Sequence, residues 1–282
     1  MKTLVSFSGG RTSGMMAKML KERGEGDLFI FANTGEEDER TLEFVNRCDR
    51  EWSLGLVWVE AHINPEKGIA TTHRVVTFET ATRGGAIFER MIDKYGIPNK
   101  NYPHCTRELK LRPIHSYAVS LWGDDPYRTA IGIRADEIDR VNPNFEEMGL
   151  YYPLCDAKIR KGQVFAFWDK QPFDLMLPEH RGNCVWCWKK SLRKLLTVAR
   201  ETPQVFKFPD RMERKHANSG EGPRVFFRDR KTARELIELS RFDFETFVDP
   251  RYLDQNGGCE ESCEVFDGQI SMAGLWRKEA AE

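Results

Sequence analysis

No stretch of the 282-residue sequence approaches the ~18 apolar residues of a membrane-spanning helix, which excludes a helical membrane protein. Net charge is nearly absent: 43 Lys+Arg stand against 44 Asp+Glu, giving −1 at pH 7. That balance excludes a generally basic nucleic-acid binder and leaves room for a local basic face. No secretory pattern opens the chain, because Met1-Lys2 leads straight into Thr3-Leu4-Val5-Ser6-Phe7, which reads as a core strand. Heptads, collagen repeats and low-complexity tracts are missing as well. The cysteines do not form an even set: Cys48, Cys105, Cys155, Cys184, Cys187, Cys259 and Cys263 make 7. An odd count without an export signal argues against a disulfide framework. The expectation is a cytoplasmic protein with reduced thiols and no membrane partner.

What is present is an alternation of strand and helix patterns. Leu4–Ser8 and Leu28–Ala32 are continuous apolar runs of the kind buried on both faces of a parallel sheet. Thr12–Lys21 and Glu36–Trp52 carry apolar residues at helical spacing, and Leu56–Val59 reads as a third strand. Strand, helix, strand, helix, strand predicts an α/β fold with a doubly wound, mostly parallel sheet. A looser stretch follows from His62 to Tyr102, with a helix near Gly85–Tyr95. Cys105–Leu121 and Gly162–Asp169 read as helices and Tyr127–Ile133 as a strand. The sheet signals then fade. The expected division is a nucleotide-binding α/β domain over 1–180 and a cysteine-bearing section with basic helices over 181–282.

The strongest motif is Ser8-Gly9-Gly10-Arg11-Thr12-Ser13, between the first strand and the first helix. Glycines let backbone N–H groups approach an anion closely. The helix that follows adds its unsatisfied N–H groups and the positive end of its dipole. Ser8, Thr12 and Ser13 can donate to phosphate oxygens, and Arg11 is a candidate charge partner. A glycine turn with a Ser/Thr helix cap is the structural alternative. The loop is neither a Walker sequence, which needs Lys before the last Ser/Thr, nor GxGxxG.

It resembles the PP-loop, SGGxxS, of the N-type ATP pyrophosphatases and the related phosphoadenosine phosphosulfate (PAPS) reductase family. The resemblance continues in order. Asn33-Thr34-Gly35 and the Thr41-Leu42-Glu43-Phe44-Val45 helix are similar to the family's second strand end, which lies beside adenine and ribose. Gly132-Ile133-Arg134-Ala135-Asp136-Glu137 resembles the stretch that faces the phosphates. Tyr152-Pro153-Leu154 and the segment Val164-Phe165-Ala166-Phe167 are similar to its Tyr-Pro-Leu segment and the helix after it. Roughly residues 3 to 195 are covered. The implied site is Ser8, Gly9, Gly10, Arg11, Thr12, Ser13, Asn33, Thr34, Gly35, Gly132 and Arg134 for an adenine nucleotide, with Ser8, Arg11 and Arg134 catalytic. Guanidinium forks suit phosphate or sulfate.

Cys184-Val185-Trp186-Cys187 is a CxxC, and Cys105 follows His104. The family's iron–sulfur members, adenosine phosphosulfate (APS) reductases among them, hold a 4Fe–4S cluster with a Cys-Cys and a distant CxxC. Here His104 replaces the first of those cysteines. The resemblance therefore implies Cys105, Cys184 and Cys187 as ligands, with Cys263, Cys259, His104 or a substrate atom as the fourth. Zinc held by Cys184, Cys187, Cys259 and Cys263 is the alternative, since thiolates suit both. The reductases' C-terminal nucleophile lies in Glu-Cys-Gly-x-His; Cys259 and Cys263 lack that context and stand among Glu260, Glu261 and Glu264, which disfavour a thiolate.

The resemblance and the intact loop imply an enzyme that binds ATP with Mg²⁺, cleaves between the α- and β-phosphates, and uses a cluster for sulfur or electron transfer. Its partner would be a sulfur or electron donor protein. The alternatives are reduction of PAPS or APS to sulfite, and a non-catalytic nucleotide- or nucleic-acid-binding protein. Lys189, Lys190, Arg193 and Lys194 read as one helix whose basic face seats a polyanion or is solvated beside the nucleotide.

Overall fold

The computed structural model describes residues 1–217 and 224–248. Its centre is a six-stranded sheet in the order β4-β3-β2-β1-β5-β6. The strands are β1 (Lys2–Ser6), β2 (Leu28–Asn33), β3 (Val57–His62), β4 (Thr72–Val76), β5 (Tyr127–Ala130) and β6 (Leu150–Tyr151). All neighbours run parallel except β4, which returns antiparallel along β3. β2 is buried along its whole length, as its unbroken Leu-Phe-Ile-Phe-Ala run requires. The fold is thus the doubly wound α/β arrangement.

β1, β2 and β3 step outward on one side, and the chain then crosses back to place β5 on the other side of β1. The carboxyl ends of β1 and β5 therefore diverge, and a crevice opens where strand order reverses. Two segments lead into it: the glycine turn before α1 (Arg11–Arg23) and the Gly132–Arg134 stretch after β5.

Sequence pattern missed β4. Only Val76 of Thr72-His73-Arg74-Val75-Val76 is fully buried, so this edge strand has no apolar run or alternation to betray it. The helix expected over Cys105–Leu121 is three pieces: α4 (His104–Thr106), a π-helical turn over Arg107–Leu111, and α5 (Arg112–Trp122). Pro113 sits in the first turn of α5, where its missing N–H costs nothing.

Apolar residues gather in two large cores. One packs α1 and α2 (Glu39–Trp52) with α7 (Lys161–Trp168), the helix that follows the short α6 (Pro153–Asp156), under the sheet. The other joins α3 (Ala86–Tyr95) to the 184–188 segment, α8 (Leu192–Glu201), α9 (Lys207–Lys215) and α10 (Ala233–Leu239). That second core draws on residues on both sides of position 180, including Ala61, Leu109, Trp186 and Leu236.

Gly14 is the contact between α1 and α7. A Cβ there would lie 2.9 Å from the Trp168 ring. Trp168 cannot swing away freely, because its Nε1 donates to Arg11 O at 2.9 Å. Helix propensity alone makes Gly→Ala stabilising by ~1 kcal/mol. Here the expected outcome is the reverse: Gly14→Ala loses about 1–3 kcal/mol in urea denaturation through overpacking. A gain in stability would show that Trp168 does not fix this helix pair.

Candidate functional site

The turn after β1 is built by its own hydroxyls. Ser8 N donates to Ser13 Oγ at 3.2 Å, and Ser13 Oγ donates to Gly10 O at 3.1 Å. The Ser13 proton is thereby assigned, so Ser8 Oγ is the donor in its 2.8 Å contact with Ser13 Oγ. Gly9 has φ +84°, and a Cβ there would stand 2.8 Å from Thr41 Cγ2, so only glycine fits. Gly10 caps α1 with no side-chain hydrogen bond to its first N–H groups. Those donors open into a cavity of about 130 Å³. Gly132 closes the far side: its Cβ position lies 3.0 Å from Ser13 Cα, so the β5 end presses against the start of the helix.

The cavity lining carries five cationic side chains, Arg11, Arg134, Lys161, Lys190 and Lys194, and one carboxylate, Glu179. Such an excess in a recess favours an anion. Arg134 is buried; its Nε and Nη2 each donate to Asp136 at 3.1 Å, and its Nη1 reaches Thr12 Oγ1 at 3.4 Å. Glu179 receives Lys194 Nζ at 2.6 Å and Lys161 Nζ at 3.5 Å. Burial lowers the Lys161 pKa, with Glu179 opposing the shift. The other wall is apolar, made by Val164, Phe165, Leu175 and Leu177.

Three expected site residues are placed differently. Arg11 lines the cavity, but its guanidinium is held by Asp174 at 2.7 and 3.0 Å and by the Leu175 carbonyl. It ties α1 to the 174–177 strap. Asn33 is fully buried, and its amide donates to Glu60 at 2.7 Å and to Thr82 O at 2.9 Å. Its carbonyl accepts from Gly35 N at 3.3 Å, so the whole side chain braces the end of β2. Thr34 donates to Glu37 at 2.7 Å and stands 3.5 Å from Cys184 Sγ, in a second cavity. Gly35, with φ +82°, turns the chain there and accepts from Gly85 N.

That second cavity, of about 20 Å³, is lined by Cys105, Cys184 and Cys187 together with Thr34, Lys110, Trp188 and further residues. The Cys105 of one segment thus meets the CxxC of another, 79 positions away by 184 − 105. Two polar atoms in its lining residues, Thr106 Oγ1 and Trp188 Nε1, are buried without a hydrogen-bond partner among the described residues. Three thiols, buried donors and the buried Lys110 suit an anionic, thiolate-held group. The described residues contain no group of three His, Cys, Asp or Glu arranged around a single ion. His104 stacks on Tyr102 at 5.8 Å and does not line this cavity. Cys259 and Cys263 lie outside the described residues. Cys48 is buried in the first core, and Cys155 donates to Ile133 O.

The two cavities share a wall. Gly182, Asn183 and Lys190 line the first, while Cys184 and Cys187 line the second. Asn183 has φ +59°, a left-handed conformation that Asn tolerates, and the chain turns there between the two. A bridge from Glu37 to Cys184 stitches this segment to the turn after β2.

Sequence reasoning missed the inward lysines. Lys189 and Lys190 precede α8 rather than lying on it, and Lys190 and Lys194 are buried rather than solvated. A usable signal stood at Lys161: a cation in the first turn of a helix opposes the dipole, and an anion nearby would offset it. The third basic stretch is neutralised, since Arg211 pairs with Glu89, Arg214 with Asp210, and Lys215 with Glu89 and Asp93.

Fold and site together define a doubly wound α/β protein with a glycine-turn, cation-rich cavity set against a three-cysteine cavity. The chain is 33% identical over 287 residues to the uncharacterized nin region protein ORF290 of Escherichia phage lambda, spanning 96% of this chain and 98% of that protein. It belongs to the family of that phage protein. It is also 23% identical over 233 residues to the uncharacterized protein MJ0066 of Methanocaldococcus jannaschii, spanning 78% of this chain and 43% of the archaeal protein. No family model and no solved structure matches it. No described helix is long and apolar enough to cross a membrane.

Beside the cysteines, Trp186 Nε1 donates to Glu36 at 2.5 Å. Burial pushes the Glu36 carboxyl up from 4.5 to about 7, against the lowering effect of that bond. In the unfolded chain Glu36 ionises at its ordinary 4.5; in the fold it resists until about 7. Its contribution is thus fully present below the lower value and lost as pH rises through the upper one. Glu36→Gln keeps an acceptor for Trp186 without the charge. The variant should gain ~2 kcal/mol relative to the native chain across that window in chemical denaturation. Parallel pH curves would contradict the assignment.

Proposed function

We propose that this chain is an adenine-nucleotide enzyme of the PP-loop type that binds ATP and cleaves it between the α- and β-phosphates. The observation that carries the reading is the Ser8–Ser13 turn: it presents the uncapped N–H groups of α1 to a cavity whose lining cations outnumber its carboxylates. The resemblance of that turn to SGGxxS adds the nucleotide class. Val164, Phe165, Leu175 and Leu177 offer the apolar face on which a purine can be buried, taking the part first expected of Asn33 and Thr34.

In the proposed reaction an acceptor oxygen attacks the α-phosphorus. The new oxygen–phosphorus bond forms as the bond to the bridging α–β oxygen breaks, and pyrophosphate leaves with the electron pair. No oxidation state changes. Arg134, Lys161, Lys190 and Lys194 hold the triphosphate in line, and electrostatics and positioning supply most of the rate. Mg²⁺ bound with the nucleotide offsets its charge.

Cys105, Cys184 and Cys187 would hold a 4Fe–4S cluster, with Thr106 Oγ1 and Trp188 Nε1 as candidate donors to it. When bound, such a cluster supplies electron transfer or an iron open to sulfur. The dry wall of Phe88, Trp186 and Trp188 keeps water from the thiolates.

One anaerobic preparation tests both halves. Native protein should contain about four irons per chain and release pyrophosphate from Mg–ATP in the presence of acceptor extracts. Ser13→Ala should lower that release about 10²-fold or more while keeping its iron, since it breaks the turn alone. Cys187→Ser should lose iron and still bind nucleotide. Sulfite from PAPS without pyrophosphate release, or iron-free protein with stoichiometric zinc, would overturn the respective half.

A further inference from the structure

Lys190 belongs to both cavities. Its side chain lines the cation-rich one, and it is buried. Its Nζ donates to Cys184 O and to Val185 O, both at 2.7 Å. Those carbonyls belong to the CxxC turn itself. Cys184 O also accepts from Cys187 N at 2.9 Å, and Cys187 O accepts from Lys190 N at 3.1 Å. One ammonium therefore clasps the turn that sets where two of the three cysteines stand.

We propose that Lys190 is a positioning residue that couples the cavities: an anionic phosphate in the first cavity fixes the ammonium, and the fixed ammonium tightens the Cys184–Cys187 turn lining the second. The proposal rests on the nucleotide reading above and adds a direction of communication to it. Two neutral carbonyl dipoles satisfy hydrogen bonds of an ammonium without neutralising its charge, so a phosphate gains full electrostatic value from it. A phosphate adds a charge-assisted bond on the cavity side and opposes withdrawal of the amine from the carbonyls. Lys194 faces the same cavity but answers to Glu179 instead of the turn, so it attracts phosphate without relaying its arrival. The coupling is reciprocal: whatever orders the cysteine turn also raises affinity for the phosphate ligand. For the proposed enzyme, the cysteine cavity takes its working shape when the triphosphate is in place.

Hydrogen–deuterium exchange of peptides covering 184–190 tests this on the anaerobically purified full chain, with nucleotide binding followed separately by calorimetry. Saturating Mg–ATP should slow the Cys187 and Lys190 amides about fivefold or more, the low end of measured site-to-site coupling. Adenosine, which has no phosphate, should not slow them. Lys190→Gln at saturating nucleotide should lose the slowing, Lys190→Arg should restore part of it, and Lys194→Gln should bind more weakly yet keep it at saturation. Mg–ATP that binds native protein without slowing these amides overturns the coupling and leaves the nucleotide reading intact. Equal slowing by adenosine, or full slowing in a folded Lys190→Gln, overturns it as well. If Lys190→Gln does not fold, the native comparison of Mg–ATP with adenosine decides. Absence of any Mg–ATP binding overturns the nucleotide reading and the coupling with it.

Discussion

Everything near the site depends on how the chain leaves β1. Gly9 turns at φ +84° with no room for a Cβ against Thr41, Phe31 and Val45. That contact sets the turn on the α2 face of the sheet. Ser8 and Ser13 then lock it, and Gly132 lets the β5 end close on the first turn of α1. Three glycine positions and one hydroxyl pair thereby aim a row of backbone donors into one recess. Moving any of them by an ångström would turn those donors onto protein atoms or water, where they attract no ligand.

A buried polar lattice holds the adjoining edge. Glu60, fully buried, accepts from Asn33 Nδ2, from Thr82 N and Oγ1, and from Arg74. An ionised carboxylate at that depth is tolerated only because so many donors reach it. Its effect is to fix the end of β2, and through Thr34 and Glu37 to fix Cys184. The cysteine cavity is therefore built on the sheet edge, although its CxxC comes from a segment far along the chain. Lys190 supplies the second tie, from the cation-rich side.

How legible this was differs by interaction. The parallel strands β1, β2 and β3 announced themselves because strands buried on both faces must be apolar throughout. The Ser8–Ser13 turn was legible because glycine and hydroxyl spacing encode local geometry. β4 was not, since its pairing is written in β3 rather than in its own residues. The meeting of Cys105 with Cys184 and Cys187 was reached through resemblance; spacing alone does not say that two distant segments converge. Arg11 and Asn33 show the opposite limit. Their residue types suit a ligand, yet their partners Asp174 and Glu60 come from distant positions, and long-range pairing decides whether a polar group faces a ligand or the fold. Lys190 and Lys194 read as a solvated face because helical spacing reports a pattern and not which way it points.

The central claim is that the Ser8–Ser13 turn receives the phosphates of an adenine nucleotide. A crystal structure with Mg²⁺ and the ATP analogue carrying a methylene bridge between its α- and β-phosphorus atoms tests it most directly. The expected result is triphosphate density within hydrogen-bond distance of the backbone N–H groups of Gly9 to Ser13, with Arg134 and Lys190 on the same phosphates. Triphosphate bound elsewhere, or a turn left empty at concentrations that saturate the protein, would contradict it.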